Sequence, residues 1–208
     1  WHGTPLKKMG RDNRPEMVTM GNVLRNLLDS DYIVFPNRFM EEKMSGAFNL
    51  KELYRGTILR EGYPRNSIFF DQEHGRLLKE VLGYQGCQLS VYMPTFRGHT
   101  DDVEGDTYVE QVRSYLEVID KGMQDDQILL LKLHPLVQKG LDLDNYRHIR
   151  PFPSELDTYD VLNACDVLIT DYSSVMYDFA NTGRKIILFA YDLEDYMGHR
   201  GMYEDIRS

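Results

Sequence analysis

Thr170-Asp171-Tyr172-Ser173-Ser174 puts four hydroxyl side chains and a carboxylate directly behind the apolar run Val167–Ile169. A buried strand that ends in hydroxyls at a helix start leaves unpaired backbone N–H groups and a positive dipole end facing one point. Two readings follow. The turn is an anion seat suited to phosphate, or it is an ordinary helix N-cap, since Asp and Ser are favoured there for structural reasons. Arg97 ends the run Pro94-Thr95-Phe96-Arg97 and carries a planar, permanently charged fork that suits phosphate oxygens; the alternative is a plain surface arginine. His134, between an apolar run and Pro135, sits in a rigid turn. There it donates to a phosphate or protonates a leaving oxygen near neutral pH, or else bonds a local carbonyl. Asp178 lies one helical turn beyond Ser174. It accepts a hydroxyl proton from a ribose or polyol, or it is an exposed helix carboxylate.

A second group is basic. Lys7, Lys8, Arg11 and Arg14 form either a solvated loop or a contact for an anionic acceptor or lipid headgroups. No Walker loop, GxGxxG fingerprint or HExxH site is present. Cys87 and Cys165 form neither a CxxC pair nor a metal cluster and read as buried free thiols. No carboxylate cluster announces a divalent metal, and a need for one is left open.

The elements that must position these residues alternate between strand and helix. Early in the chain, Asp31–Phe35 and Gly56–Arg60 read as strands, with helices over Arg38–Phe48 and Gln72–Leu82. Two strands are too few for an independent sheet, so residues 1–83 read as the back part of a domain. Gly83–Cys87 is the expected linker. From Gln88 onward the expected strands are Gln88–Met93, Gln127–Leu133, Tyr146–Arg150, Asp166–Thr170 and Lys185–Ala190. The expected helices are Thr107–Lys121, Asp157–Ala164, Val175–Asn181 and Leu193–Met197. This alternation implies an α/β fold with a parallel sheet covered on both faces. Open α/β sheets bind ligands beyond the carboxyl ends of their strands, where the strand order reverses. In the doubly wound order, the first and fourth strands of residues 84–208 are neighbours, so Arg97, His134 and the serine pair face one crevice.

Composition narrows the class. Of 208 residues, 42% are hydrophobic and 12% aromatic, enough for a packed core. Residues 1–83 hold 13 Lys and Arg against 11 Asp and Glu (net +2), and residues 84–208 hold 11 against 22 (net −11). That balance disfavours nonspecific nucleic-acid binding. No apolar run approaches the roughly 20 residues that span a bilayer, and no signal-peptide pattern appears. The chain begins at Trp1-His2-Gly3 without an initiator methionine, and the expectation is a piece of a longer protein.

Six short motifs then occur in series. They are Trp1-His2-Gly3-Thr4-Pro5-Leu6-Lys7-Lys8, Gly62-Tyr63-Pro64-Arg65-Asn66, Tyr92-Met93-Pro94-Thr95-Phe96-Arg97, Lys132-Leu133-His134-Pro135, Thr170-Asp171-Tyr172-Ser173-Ser174 and Arg200-Gly201-Met202-Tyr203. Together they resemble, over nearly the whole chain and in order, the CDP-glycerol glycerophosphotransferases that build teichoic acids.

The resemblance implies a GT-B-like fold of two Rossmann-like domains, the first incomplete in this chain, with the active site in the cleft between them. It makes residues 1–83 the acceptor side and 84–208 the donor-binding domain. It implies transfer of glycerol phosphate from CDP-glycerol to a hydroxyl on a membrane-linked acceptor, releasing CMP, at the cytoplasmic face of the membrane. His2 and His134 become the catalytic histidines, His2 as general base on the acceptor and His134 at the pyrophosphate. Arg97, Thr170, Asp171, Ser173, Ser174 and Asp178 become donor and phosphate contacts, and Lys7, Lys8 and Arg11 the acceptor or membrane side. The alternatives are a CDP-ribitol phosphotransferase, a nucleotide-sugar glycosyltransferase of the same fold, and a non-catalytic nucleotide- or polyanion-binding module of a wall-assembly protein.

Overall fold

The computed structural model describes residues 3–95, 104–204 and 206. The chain divides into two compact units, Trp1–Ser67 with Ala190–Ser208, and Ile68–Phe189.

The first unit is built on two short parallel strands, β1 (Tyr32–Val34) and β2 (Thr57–Leu59), with Ile33 opposite Ile58. Helices α1 (Gly21–Leu28), α2 (Arg38–Ala47) and α3 (Leu50–Leu53) precede or join them. Asn37 caps α2, its side chain accepting from the Met40 N–H at 2.9 Å. The core holds Leu27, Ile33, Phe35, Met40, Met44 and Phe48. Helix α1 escapes the sequence reading. Met20, Leu24, Leu27 and Leu28 carry the helical period, but no side chain caps its start.

The second unit opens with α4 (Gln72–Val81), followed by five strands and the helices between them. The strands are β3 (Gln88–Met93), β4 (Gln127–Leu131), β5 (Ile149–Pro151), β6 (Val167–Thr170) and β7 (Lys185–Leu188). Between them run α5 (Glu104–Gly122), α6 (Pro135–Gln138), α7 (Thr158–Ala164) and α8 (Val175–Phe179). All four strand pairings are parallel, in the order β5-β4-β3-β6-β7. The expected doubly wound order is present, and its first and fourth strands, β3 and β6, are neighbours. Tyr92, Leu129 and Leu131 pack with Val112 and Leu116 of α5. Leu89, Val91, Leu130 and Leu168, which alternate with them, are buried as well. Burial on both faces explains why these strands read as continuous apolar runs. Cys165 is buried and Cys87 half-buried, both unpaired; burial pushes the Cys165 thiol up to about 12.

The division between units differs from the linker expected at Gly83–Cys87. Helix α4 packs on α7: Gly75 lies against the Asn163 backbone, and the Asn163 amide donates to the Asp71 carbonyl at 2.7 Å. Lys79 pairs with Asp166 at 2.6 Å. At the other end, residues after Phe189, including α9 (Leu193–Arg200), return to the first unit. There Lys7 pairs with Met202 in an antiparallel bridge, and the Tyr203 N–H donates to the Leu6 carbonyl at 2.8 Å.

Candidate functional site

The carboxyl ends of β3, β4 and β6 bring most of the described candidate residues to one edge of the second unit's sheet. Register places Met93 opposite Thr170 and Tyr92 opposite Leu131. Thr170 is fully buried, and its hydroxyl donates to the Met93 carbonyl at 2.7 Å. It therefore ties the two strands together at the point where the order reverses.

Asp171 is 1% exposed. Its carboxylate accepts the Thr95 N–H at 2.8 and 3.0 Å and also the Tyr172 N–H. A buried carboxylate held this way is a clamp: it fixes the chain leaving β3 to the chain leaving β6. Its carboxylate oxygens are thus turned to the backbone it holds. Thr95, which the sequence reading passed over as part of a motif, is its partner.

Ser173 and Ser174 are half-buried between the buried Tyr172 and Val175. The Ser173 hydroxyl accepts the Val175 N–H at 3.4 Å, and Ser174 stands at the N-cap of α8 without a side-chain capping bond. The N-cap reading of this turn therefore accounts for one long contact only. Asp178, 3% exposed, accepts the Tyr159 hydroxyl proton at 2.8 Å. Tyr159 comes from α7, its ring 5.7 Å from that of Phe69. Asp178 is thus not the exposed helix carboxylate of the alternative reading, and Tyr159 occupies one of its oxygens. Nothing in the local sequence pairs these two residues.

His134 is exposed where β4 gives way to α6, and its carbonyl accepts the Val137 and Gln138 N–H groups at 2.9 and 3.1 Å. The backbone is held by that turn. Two residues earlier, the half-buried Lys132 lies over the Phe152 ring at 4.1 Å. Desolvation holds its amine below the usual lysine range, partly offset by the charge of Asp157.

Lys7, Lys8 and Arg11 lie in the first unit. The Lys7 ammonium sits 5.4 Å from the centre of the Tyr196 ring, while Lys8 and Arg11 are exposed. In the same unit Arg65 stacks on Tyr63 at 4.1 Å. His2 and Arg97 lie outside the described residues. Among the described residues, no group of three or more His, Cys, Asp or Glu could hold a metal ion, and no helix is long and apolar enough to cross a membrane.

Comparison with known proteins bears on the fold and the family. The teichoic acid poly(glycerol phosphate) polymerase of Bacillus spizizenii is 32% identical over 99% of this chain and 54% of its own length. The teichoic acid glycerol-phosphate transferase of Staphylococcus aureus is 33% identical over 100% of this chain and 55% of its own. A solved structure of the wall teichoic acid polymerase TagF, a variant soaked with CDPG, superposes with a TM-score of 0.77 at 31% identity, covering 100% of this chain and 52% of that one. The chain therefore spans about half the length of the relatives it matches. The family model for CDP-glycerol:poly(glycerophosphate) glycerophosphotransferases matches residues 1–208. With the fold, the motif series and that full-length match in agreement, the chain belongs to the CDP-glycerol:poly(glycerophosphate) glycerophosphotransferase family.

Proposed function

We propose that the protein transfers glycerol phosphate from CDP-glycerol to a hydroxyl of a membrane-linked teichoic acid acceptor, releasing CMP at the cytoplasmic face of the membrane. The acceptor oxygen bonds to the phosphorus next to the glycerol, and the bond from that phosphorus to the bridging oxygen breaks. CMP departs with the electron pair. By motif match, His2 takes the acceptor proton and His134 stabilises or protonates the departing phosphate. Phosphoryl transfer of this kind rests mainly on positioning and charge stabilisation, which histidines, Arg97 and the Ser173-Ser174 turn supply without a covalent enzyme intermediate.

The observation that carries the reading is the sheet edge. At the switch between β3 and β6, Asp171 clamps Thr95, and the two accessible serines sit beside that clamp. Open parallel sheets bind nucleotides there. Membership of the family and the CDPG soak of TagF support CDP-glycerol as the donor. On this reading the second unit is the donor side, and the first unit, with Lys7, Lys8 and Arg11, serves the acceptor or membrane.

The test is CMP release by the full-length protein with a lipid-linked acceptor, offered CDP-glycerol, CDP-ribitol or a UDP-sugar in turn. CDP-glycerol is expected to be the productive donor, and preference for either other donor would replace the assignment. His134→Ala is expected to lower CMP release by at least about a hundredfold. Because the imidazole is exposed, its far-ultraviolet circular dichroism should be unchanged. Near-normal turnover by this variant removes His134 from the chemistry.

A further inference from the structure

Lys132 occupies an unusual position for a lysine. It follows β4 directly, and its N–H continues the ladder by donating to the Tyr92 carbonyl at 3.0 Å. It is half-buried, whereas the next residue, Leu133, is 7% exposed and His134 is exposed. Of these three residues only Leu133 is packed into the core. The ammonium rests on the face of Phe152, which follows the neighbouring strand β5. Among the described residues, no carboxylate comes within ion-pairing distance of it. Asp157, whose charge acts on it, is engaged as the N-cap of α7, accepting from the Tyr159 N–H at 2.8 Å.

A methylene stem alone would cover Phe152, so packing does not require the charge. Desolvating an ammonium without an anion is costly, and an anionic ligand removes that cost by supplying the missing counter-charge. Its place is the ligand-binding edge of a parallel sheet, beside a histidine assigned to the donor diphosphate. We propose that Lys132 is a phosphate-binding residue, a direct contact for the diphosphate of the nucleotide donor next to His134. The inference rests on the donor reading given above and adds a cation that reading did not contain. The chemistry is that of a point charge, which tolerates either phosphate oxygen, in contrast to the planar fork of an arginine.

Calorimetry on the full-length protein tests it, with CDP-glycerol and cytidine as the two probes. Lys132→Met keeps a stem of similar length over Phe152 and removes the charge; Lys132→Arg restores a charge. Lys132→Met is expected to weaken CDP-glycerol by about tenfold or more, the loss of one charged hydrogen bond. Its affinity for cytidine, which has no phosphate, should be unchanged, and Lys132→Arg should recover most of the loss. Equal weakening of both probes would mean a packing role and overturn the proposal. So would an unchanged affinity for CDP-glycerol, the result expected if the lysine serves an acceptor phosphate instead. If Lys132→Met does not fold, Lys132→Gln carries the same comparison. A wild-type protein that binds neither probe overturns the donor reading together with this inference, whereas normal wild-type binding with an unaffected variant overturns this inference alone.

Discussion

Asp171 and Ser174 are three positions apart in one motif and act differently. The acid is buried and its oxygens face backbone N–H groups of Thr95 and Tyr172, whereas the serine reaches the surface without a capping bond. Asp171→Asn replaces one acceptor oxygen with an amide donor that points at an N–H. A buried charged hydrogen bond is lost and a donor is left facing a donor, so the native state should weaken by about 2 kcal/mol in urea denaturation. CDP-glycerol binding should fall with it, because the chain after β3 is no longer pinned to the chain after β6. Wild-type stability in this variant would show that the clamp is dispensable. The motif was legible in the sequence as a polar turn behind an apolar strand. Which of its members holds the backbone and which faces solvent was not, because Thr95 lies 76 residues away.

At the scale of elements, periodicity carried most of the second unit. Gln88–Met93 is a strand as expected, β4, β6 and β7 fall within their expected runs, and α5, α7 and α9 lie within three residues of the expected bounds. Two short helices, α3 and α6, were not foreseen, since a single turn has too few positions to display a period. The α4–α7 contact was also invisible, although it decides to which unit α4 belongs. Gly75 makes that contact possible: a Cβ there would stand 2.5 Å from the Asn163 carbonyl oxygen. Because the obstacle is backbone, Gly75→Ala must push the helices apart, and about 1–3 kcal/mol of destabilisation is expected. Thermal denaturation checks this. A gain in stability, the usual result of Gly→Ala in a helix interior, would mean that the two helices adjust freely.

For the molecule as a whole, the chain's far end returns to the first unit. Tyr203 makes that return specific, its N–H reaching Leu6, its hydroxyl donating to Asp12 at 2.7 Å and accepting from the Met9 N–H at 3.3 Å. Burial and the bond to Asp12 hold this phenol above its ordinary range. The sign follows from linkage. Above about pH 10 the unfolded chain gives up this proton while the folded one keeps it, so the native state loses stability as pH rises through that window. Below it, the stabilisation is fully present. Tyr203→Phe lacks the titration, so urea denaturation at about pH 8 and about pH 10.5 should show a shallower decline than in the wild type. Equal slopes would mean that the phenol titrates normally.

The sequence by itself determined the alternation of strands and helices, the chemistry gathered at the ends of three strands, and through six ordered motifs the family. Those are properties of neighbouring residues, set by side-chain period, turn chemistry and composition. The tertiary structure alone decided that Asp171 clamps Thr95, that Tyr159 holds Asp178, that α4 joins the second sheet, and that Tyr203 closes the first unit. Each of those depends on residues separated by 19 to 194 positions or on the packing of one helix against another. Contacts at such separations are selected by burial and shape in the folded chain, and local pattern holds no trace of the partner.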